Sequence, residues 1–202
     1  MPPPVRSTAN RPKPSSFKPV ATVRTGRAWS RWAASAGLSL TTVALFSLSL
    51  APIHQFYLAW VALVPWLILL HGCRTKRGAF FWSWFTGTLF FAVNMWWLIA
   101  VSAPGAVALV GWLGLFWGVT GLIIRWCRLL PEPSASPLGA LRSIVMIAAT
   151  WTASEWMRGN FSILGEHGLP WLFLGHTQSP FLVACQIADL GGACMVSFWA
   201  AL

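Results

Sequence analysis

The sequence predicts an all-α, polytopic transmembrane helix bundle preceded by a disordered basic N-terminal tail, and three observations carry that expectation. Of 202 residues, 56% are hydrophobic and 9% charged, with 15 tryptophans; a soluble domain of this length does not usually hide so much apolar surface. The apolar residues fall into runs of 17 to 23 residues, near the ~20 that cross a hydrocarbon core as a helix. The cations stand at the edges of those runs, with 13 of the 14 lysines and arginines in three places. A net charge of +10 could suggest nucleic acid. No basic residues interleave with aromatics on a polar face, however, so no nucleic-acid partner is expected and a membrane fits the layout.

Residues 1–31 hold six of the 14 prolines, no acid, and Arg6, Arg11, Lys13, Lys18, Arg24, Arg27 and Arg31. Such a stretch lacks the apolar content that offsets ordering entropy. It reads as a solvated tail, with contact to anionic lipid heads as a sharper alternative. The transmembrane domain then covers residues 32–202. Its first span, 32–51, follows a basic tail as the core of a cleaved leader also would, but a cut after Ala51 would place Pro52 next, and a retained span is preferred.

The second span, 56–72, should kink at Pro65, which removes a backbone donor, and Arg74, Lys76 and Arg77 close it. The third, 80–102, is dense with aromatics and contains Asn94. An intramembrane polar residue is a functional candidate by default, although an interhelical hydrogen bond is the commoner reason for one. The fourth, 106–124, carries Gly111, Gly114, Gly118 and Gly121 along one face, where a second helix or a lipid tail can approach closely. In the fifth, 138–156, Arg142 lies in the first turn and can snorkel to the interface. A sixth starts at 191–202; 12 residues are short of a span, so a longer protein is expected.

With the N-terminus in the cytoplasm, the tail, the 74–77 loop and the region around 125–142 all fall inside, which retains 13 of the 14 cations there. The segment 157–190 then lies on the outer face. The stretch from Glu155 to Gln178, EWMRGNFSILGEHGLPWLFLGHTQ, is the polar centre of an apolar chain, with two of its four acids. Glu155 and Arg158 share a helical face. A charge deep in the bilayer costs about 2.5–3.5 kcal/mol on insertion scales, so the pair belongs near the interface, either as a structural ion pair or as a holder of a lipid head group or a neighbouring domain. Gly165, Gly168 and Pro170 force a turn. Trp171 suits the headgroup region, as an anchor before a substrate contact, while His176 and Gln178 add hydrogen-bonding groups.

His54, His71, His167 and His176 are scattered, and no HExxH, HxH, G-x-S-x-G, P-loop or dinucleotide pattern occurs, so no metal site is expected. Cys73, Cys127, Cys185 and Cys194 read as small apolar residues, with a Cys185–Cys194 bridge conceivable in an oxidising compartment.

EWMRG at 155–159, GLPWLFLGHTQ at 168–178 and QIADLGGACMVSFW at 186–199 resemble the membrane portion of the apolipoprotein N-acyltransferases, as do SLAPIHQFYLAWVALVPWL and TGTLFFAVNMWWL upstream. Leu169 stands where that family usually has phenylalanine, and the spacer from Arg158 to Pro170 is longer than usual. The resemblance covers roughly residues 35–202. It implies a ring of helices in the bacterial cytoplasmic (inner) membrane beneath an outer nitrilase-like domain. There a cysteine thiolate, a glutamate base and a lysine would pass an acyl chain from a phospholipid donor, through a thioester, to the free amine of a diacylglyceryl lipoprotein substrate. It implies no cofactor.

The lysines are Lys13, Lys18 and Lys76, all assigned inside. No catalytic residue is therefore assigned to this chain; the nitrilase-like domain is expected to be absent from it and supplied in cis or in trans. The outer rim of Glu155, Arg158, Pro170, Trp171, His176 and Gln178 is the candidate surface for lipid or substrate. The competing reading is a non-enzymatic multi-pass membrane protein, a transporter subunit or scaffold, for which inverted repeats or mid-membrane ionisable residues would be expected.

The topology makes a direct prediction. In intact cells, Ser162→Cys should react with a membrane-impermeant thiol reagent and Ser134→Cys should not; the reverse pattern would invert the arrangement.

Overall fold

A computed structural model describes residues 23–132, 134–161 and 168–202, and side chains from residue 29 onward. Helices α1 (Val23–Ser49), α2 (Ala59–Ala62), α3 (Val64–Gly72), α4 (Lys76–Asn94), α5 (Ala103–Trp126), α6 (Pro137–Asn160), α7 (Leu182–Cys185) and α8 (Ala188–Ala201) follow one another, with 3-10 turns at Phe56–Leu58, Trp96–Ala100 and Leu174–Gln178. Among the described residues there is no strand. Two helices, Trp29–Ser49 and Ala103–Trp126, are long and apolar enough to cross a membrane. The others of the expected spans are shorter or are interrupted by hydroxyl and charged residues.

Each helix starts where local chemistry allows. Thr75, Ser102 and Ser136 accept from the amides of Gly78, Gly105 and Gly139 at 3.0, 3.2 and 3.2 Å, capping α4, α5 and α6. Pro104 and Pro137 sit in the first turns of α5 and α6, where a missing N–H is not felt. The second expected span is broken at Leu63, and Pro65 lies in the first turn of α3, as the loss of its donor requires.

Three boundaries differ from expectation. The first helix begins at Val23, within the stretch read as tail; no proline follows Pro19 there, and arginine and alanine favour helix. Residues 1–22 lie outside the described part. The third run leaves the α conformation at Met95 and continues as a 3-10 turn. The fifth extends to Asn160, which places Arg158 on the same helix as Glu155.

The chain runs back and forth, so that connections of like side meet. At one end Arg125 donates from Nε and Nη2 to the Cys73 carbonyl at 3.3 and 2.9 Å, and Lys76 Nζ lies 4.7 Å from the centroid of the Trp126 ring. At the other, the rings of Phe56 and Phe181 stack at 5.3 Å, and those of Trp97 and Trp171 lie 6.0 Å apart. Between the ends the core is aromatic: Phe46, Trp66, Phe90, Trp117 and Trp151 are buried together, with edge-on indole contacts such as Trp117 on Trp151 at 4.7 Å. Some buried polar atoms are paired across helices, as in Trp66 Nε1 to Ser83 Oγ at 2.9 Å and Thr86 Oγ1 to Ser39 Oγ at 2.8 Å. Large apolar side chains face outward on α1, α3, α5 and α6, among them Leu40, Ile68, Val107 and Leu141.

The glycine face of α5 meets a helix rather than an open groove. A Cβ on Gly114 would stand 2.9 Å from Thr88 N and 3.0 Å from Trp84 O in α4, whereas one on Gly111 would meet nothing within 4 Å. Backbone cannot yield as a side-chain tip can. Gly114→Ala should therefore destabilise the fold by about 1–3 kcal/mol, the usual cost of overpacking. Gly111→Ala should leave the unfolding midpoint in detergent nearly unchanged. Equal effects of the two would contradict the packing of α5 on α4.

Candidate functional site

The candidate rim is organised by the last turns of α6. Trp151, Glu155 and Arg158 are spaced by four and three residues and so share the inward face of that helix. Glu155 is 3% exposed and Arg158 4%. Burial of either charge is costly unless it is compensated and hydrogen-bonded. Glu155 Oε1 accepts from Trp151 Nε1 at 3.0 Å and from the Leu174 amide at 2.7 Å. Arg158 Nη1 donates to the carbonyls of Leu169 and Trp171 at 3.0 and 2.5 Å. The guanidinium also lies 5.1 Å from the ring centroid of Phe91 and 4.7 Å from that of Phe173.

The expectation of an ion pair is therefore modified. The two charges attract electrostatically, but among the described residues they do not bridge directly. Each instead grips the backbone of the outer segment, one at Leu174 and the other at Leu169 and Trp171.

That segment is shaped to be gripped. Leu169 N donates to Arg158 O at 3.0 Å, and a side chain on Gly168 would collide with Arg158 O and Gly159. Pro170 and Trp171 lead to Leu172, whose φ of 56° places it in the left-handed region. A bulky residue is held there only when its neighbours are fixed, as the Arg158 bond to Trp171 O provides. The 3-10 turn Leu174–Gln178 then lies on α8: Gly175 N donates to Ser197 Oγ at 2.8 Å, and a Cβ on Gly175 would stand 2.6 Å from Ala193 O.

The sequence-predicted residues divide into backing and surface. Glu155, Arg158 and Gln178 form the backing. Gln178, fully buried, donates from Nε2 to Phe56 O at 3.1 Å and to Thr177 Oγ1 at 2.9 Å, tying the turn to the start of the second expected span. Pro170 and Trp171 face outward; Trp171 is 47% exposed beside Trp97, with Trp96 also exposed. His176 is also exposed, although its ring stacks on Phe173 at 5.3 Å and its Nδ1 accepts from the Phe173 amide at 3.4 Å.

Asn94 takes no part. Its Nδ2 donates to Ser47 Oγ at 2.7 Å and Phe90 O at 2.8 Å, pinning α4 to α1. The reading of Gly165 and the labelling position Ser162 lie outside the described residues. Cys185 and Cys194 are free thiols, and Cys185 Sγ donates to Gln178 O at 3.3 Å.

Sequence reasoning missed Trp151, Phe91, Phe173 and Ser197. Trp151 was signalled by its place four residues before Glu155. Phe173 lay within the quoted stretch but only two residues past Trp171, with nothing to mark its contact to Arg158; Phe91 and Ser197 come from distant elements and carried no local signal. The rim thus turns its charges inward and the Trp171 indole outward.

A family profile described as the apolipoprotein N-acyltransferase N-terminal domain matches residues 42–202. The chain is 31% identical over 150 residues to the apolipoprotein N-acyltransferase of Chlorobaculum tepidum, an alignment covering 73% of this chain and 26% of that protein. It is 30% identical over 146 residues to that of Gloeobacter violaceus, covering 67% and 26%, and 32% identical over 188 residues to that of Azotobacter vinelandii, covering 85% and 34%. The chain thus spans about a quarter to a third of the length of these relatives.

Burial first, and then the nearby Arg158 cation, hold the His176 imidazole below its ordinary value of 6.5. Because the folded state binds the proton less readily than the unfolded chain, the contribution of this turn to stability is complete above about pH 6.5 and is lost as pH falls through the lowered value. Protonation would also remove the Nδ1 acceptor. The fall in unfolding temperature between about pH 7.5 and about pH 5 should therefore be smaller in His176→Gln than in the parent chain; an equal fall in both would contradict this role.

Proposed function

This chain belongs to the apolipoprotein N-acyltransferase family, and from that premise we propose that its helices form the membrane platform of an N-acyltransferase in the bacterial cytoplasmic membrane. In this reading the expected spans cross the bilayer with the N-terminus in the cytoplasm, and the rim from Glu155 to Gln178 lies on the outer face. Support comes from the outward apolar faces of α1, α3, α5 and α6 and from the two long apolar helices. The meeting of Cys73 with Arg125, and of Lys76 with Trp126, adds to it by gathering cations at the end opposite the rim.

The platform serves an acyl transfer from a phospholipid to the free amine of a diacylglyceryl-cysteine. A thiolate attacks the donor's ester carbonyl and expels a lysophospholipid alkoxide, which takes up a proton; the amine then attacks the thioester, loses its proton and releases the thiolate. These steps belong to a nitrilase-like domain, joined in cis or supplied in trans. The chain's own part is to present lipid to it.

The observation that carries this reading is the outward placement of Trp171 beside Trp97 on a turn fastened from behind by Glu155 and Arg158. Indoles held at a fixed depth bury their rings among acyl carbons while their N–H groups face the headgroup layer. Rigid backing keeps the ordering cost of binding low.

A photoactivatable diacylglyceryl-cysteine lipopeptide, added to membranes containing the protein, should crosslink within residues 170–178 and be competed by unlabelled lipopeptide. Trp171→Ala should reduce that crosslinking several-fold. Labelling spread evenly over the helices, or no stronger than with a phosphatidylcholine probe of equal chain length, would overturn the assignment.

A further inference from the structure

At the end of the bundle opposite the rim, α1 parts from α3 and α4 to leave an open cleft of about 500 Å³. Its walls are apolar, with Leu38 of α1, Leu69 of α3 and the indoles of Trp32 and Trp82, whose ring centroids lie 5.2 Å apart. Arg31, Arg74 and Thr75 line it on its polar side.

The cations at this end are not equivalent. Arg125 is committed to the Cys73 carbonyl, and Lys76 to the face of Trp126. Arg31 and Arg74 are both exposed, and among the described residues no acid lines the cleft. The one described acid in the neighbouring connection, Glu132, is exposed and does not line it either. The cleft therefore combines uncompensated positive charge with an indole-lined apolar wall, in a volume within the ~300–1,000 Å³ range of ligand sites.

We propose that this cleft is a binding site for one anionic phospholipid of the leaflet at the cationic end, separate from the outer rim. Arg31 and Arg74 hold the phosphate, as guanidinium forks do. The glycerol backbone and first acyl carbons lie against Trp32, Leu38, Leu69 and Trp82. A water-soluble anion would gain nothing from those walls, and a zwitterionic lipid would bring its own cation toward the arginines. The inference rests on the membrane reading above but not on the acyl-transfer role.

The test is titration of the purified chain in neutral detergent with dioctanoyl phosphatidylglycerol, dioctanoyl phosphatidylcholine and inorganic phosphate, read by calorimetry. The parent chain should bind the phosphatidylglycerol in preference to the other two. Arg31→Gln with Arg74→Gln should weaken that binding by about 30-fold, in line with roughly 1 kcal/mol per cation near an anionic lipid. Arg77→Gln with Arg128→Gln, which removes equal charge at the same end outside the cleft, should change it less than threefold. Ser35→Trp, which fills the cleft and leaves both arginines, should abolish it, so the proposal does not depend on one variant folding. Equal losses in the two arginine pairs, binding retained in Ser35→Trp, inorganic phosphate competing as well as the lipid, or no binding by the parent would each overturn it. None of these outcomes bears on crosslinking at residues 170–178, so the two readings fail independently.

Discussion

A carboxylate and a guanidinium enclosed in an apolar bundle must be compensated, and the end of the protein that carries the Glu155–Gln178 segment is arranged around that constraint. Glu155 and Arg158 are both buried; besides the Trp151 indole that donates to Glu155 Oε1, their hydrogen-bond partners are backbone groups of the segment after α6, and Glu155 Oε2 has none among the described residues. One charge draws in the Leu174 amide and the other the carbonyls of Leu169 and Trp171. The segment cannot move away without leaving buried charge bare, which in proteins costs several kcal/mol per ion. The pair acts less as a bridge between two side chains than as a clasp on the chain that follows.

The clasp works because the surrounding elements leave no slack. Glycines at 168 and 175 let the segment approach α6 and α8 at distances no side chain would permit. Gln178 extends the attachment to Phe56, and the aromatic core fixes α6 itself through Trp151 against Phe46, Trp66 and Trp117. What remains free is the outward side of the turn, with Pro170 and Trp171. A rigid inner face and an exposed aromatic outer face meet the needs of a surface that holds lipid at fixed depth. The opposite end contrasts with it: there Arg31 and Arg74 stand exposed beside an apolar cleft, the site proposed above for an anionic head group.

Much of the fold was readable from sequence because its determinants are local. Runs of apolar residues marked every long helix, and Pro65 marked the interruption of the second run. The glycines of α5 pointed to close approach by a helix or a lipid tail, and only the structure shows that it is α4. At the site, Glu155, Arg158 and Trp171 stood out as charges and an indole beside a Gly-Pro turn. Their partners did not. Nothing local tells a reader that Arg158 will reach a carbonyl 11 residues onward or lie against Phe91 of another helix, since such contacts follow from tertiary placement rather than spacing. The early start of α1 was missed because a charged, proline-free stretch reads as tail by composition yet continues a helix easily once one is nucleated beyond it.

The central claim is that Glu155 and Arg158 compensate one another while clasping the turn, and a double-mutant cycle tests it most directly. Unfolding free energies in detergent would be measured for the parent, Glu155→Leu, Arg158→Leu and the double variant. Each single variant leaves one buried charge unopposed and is expected to lose about 3–5 kcal/mol. The double variant should lose less than the sum of the singles, by roughly 1–3 kcal/mol. Losses that simply add, or singles as stable as the parent, would contradict the account.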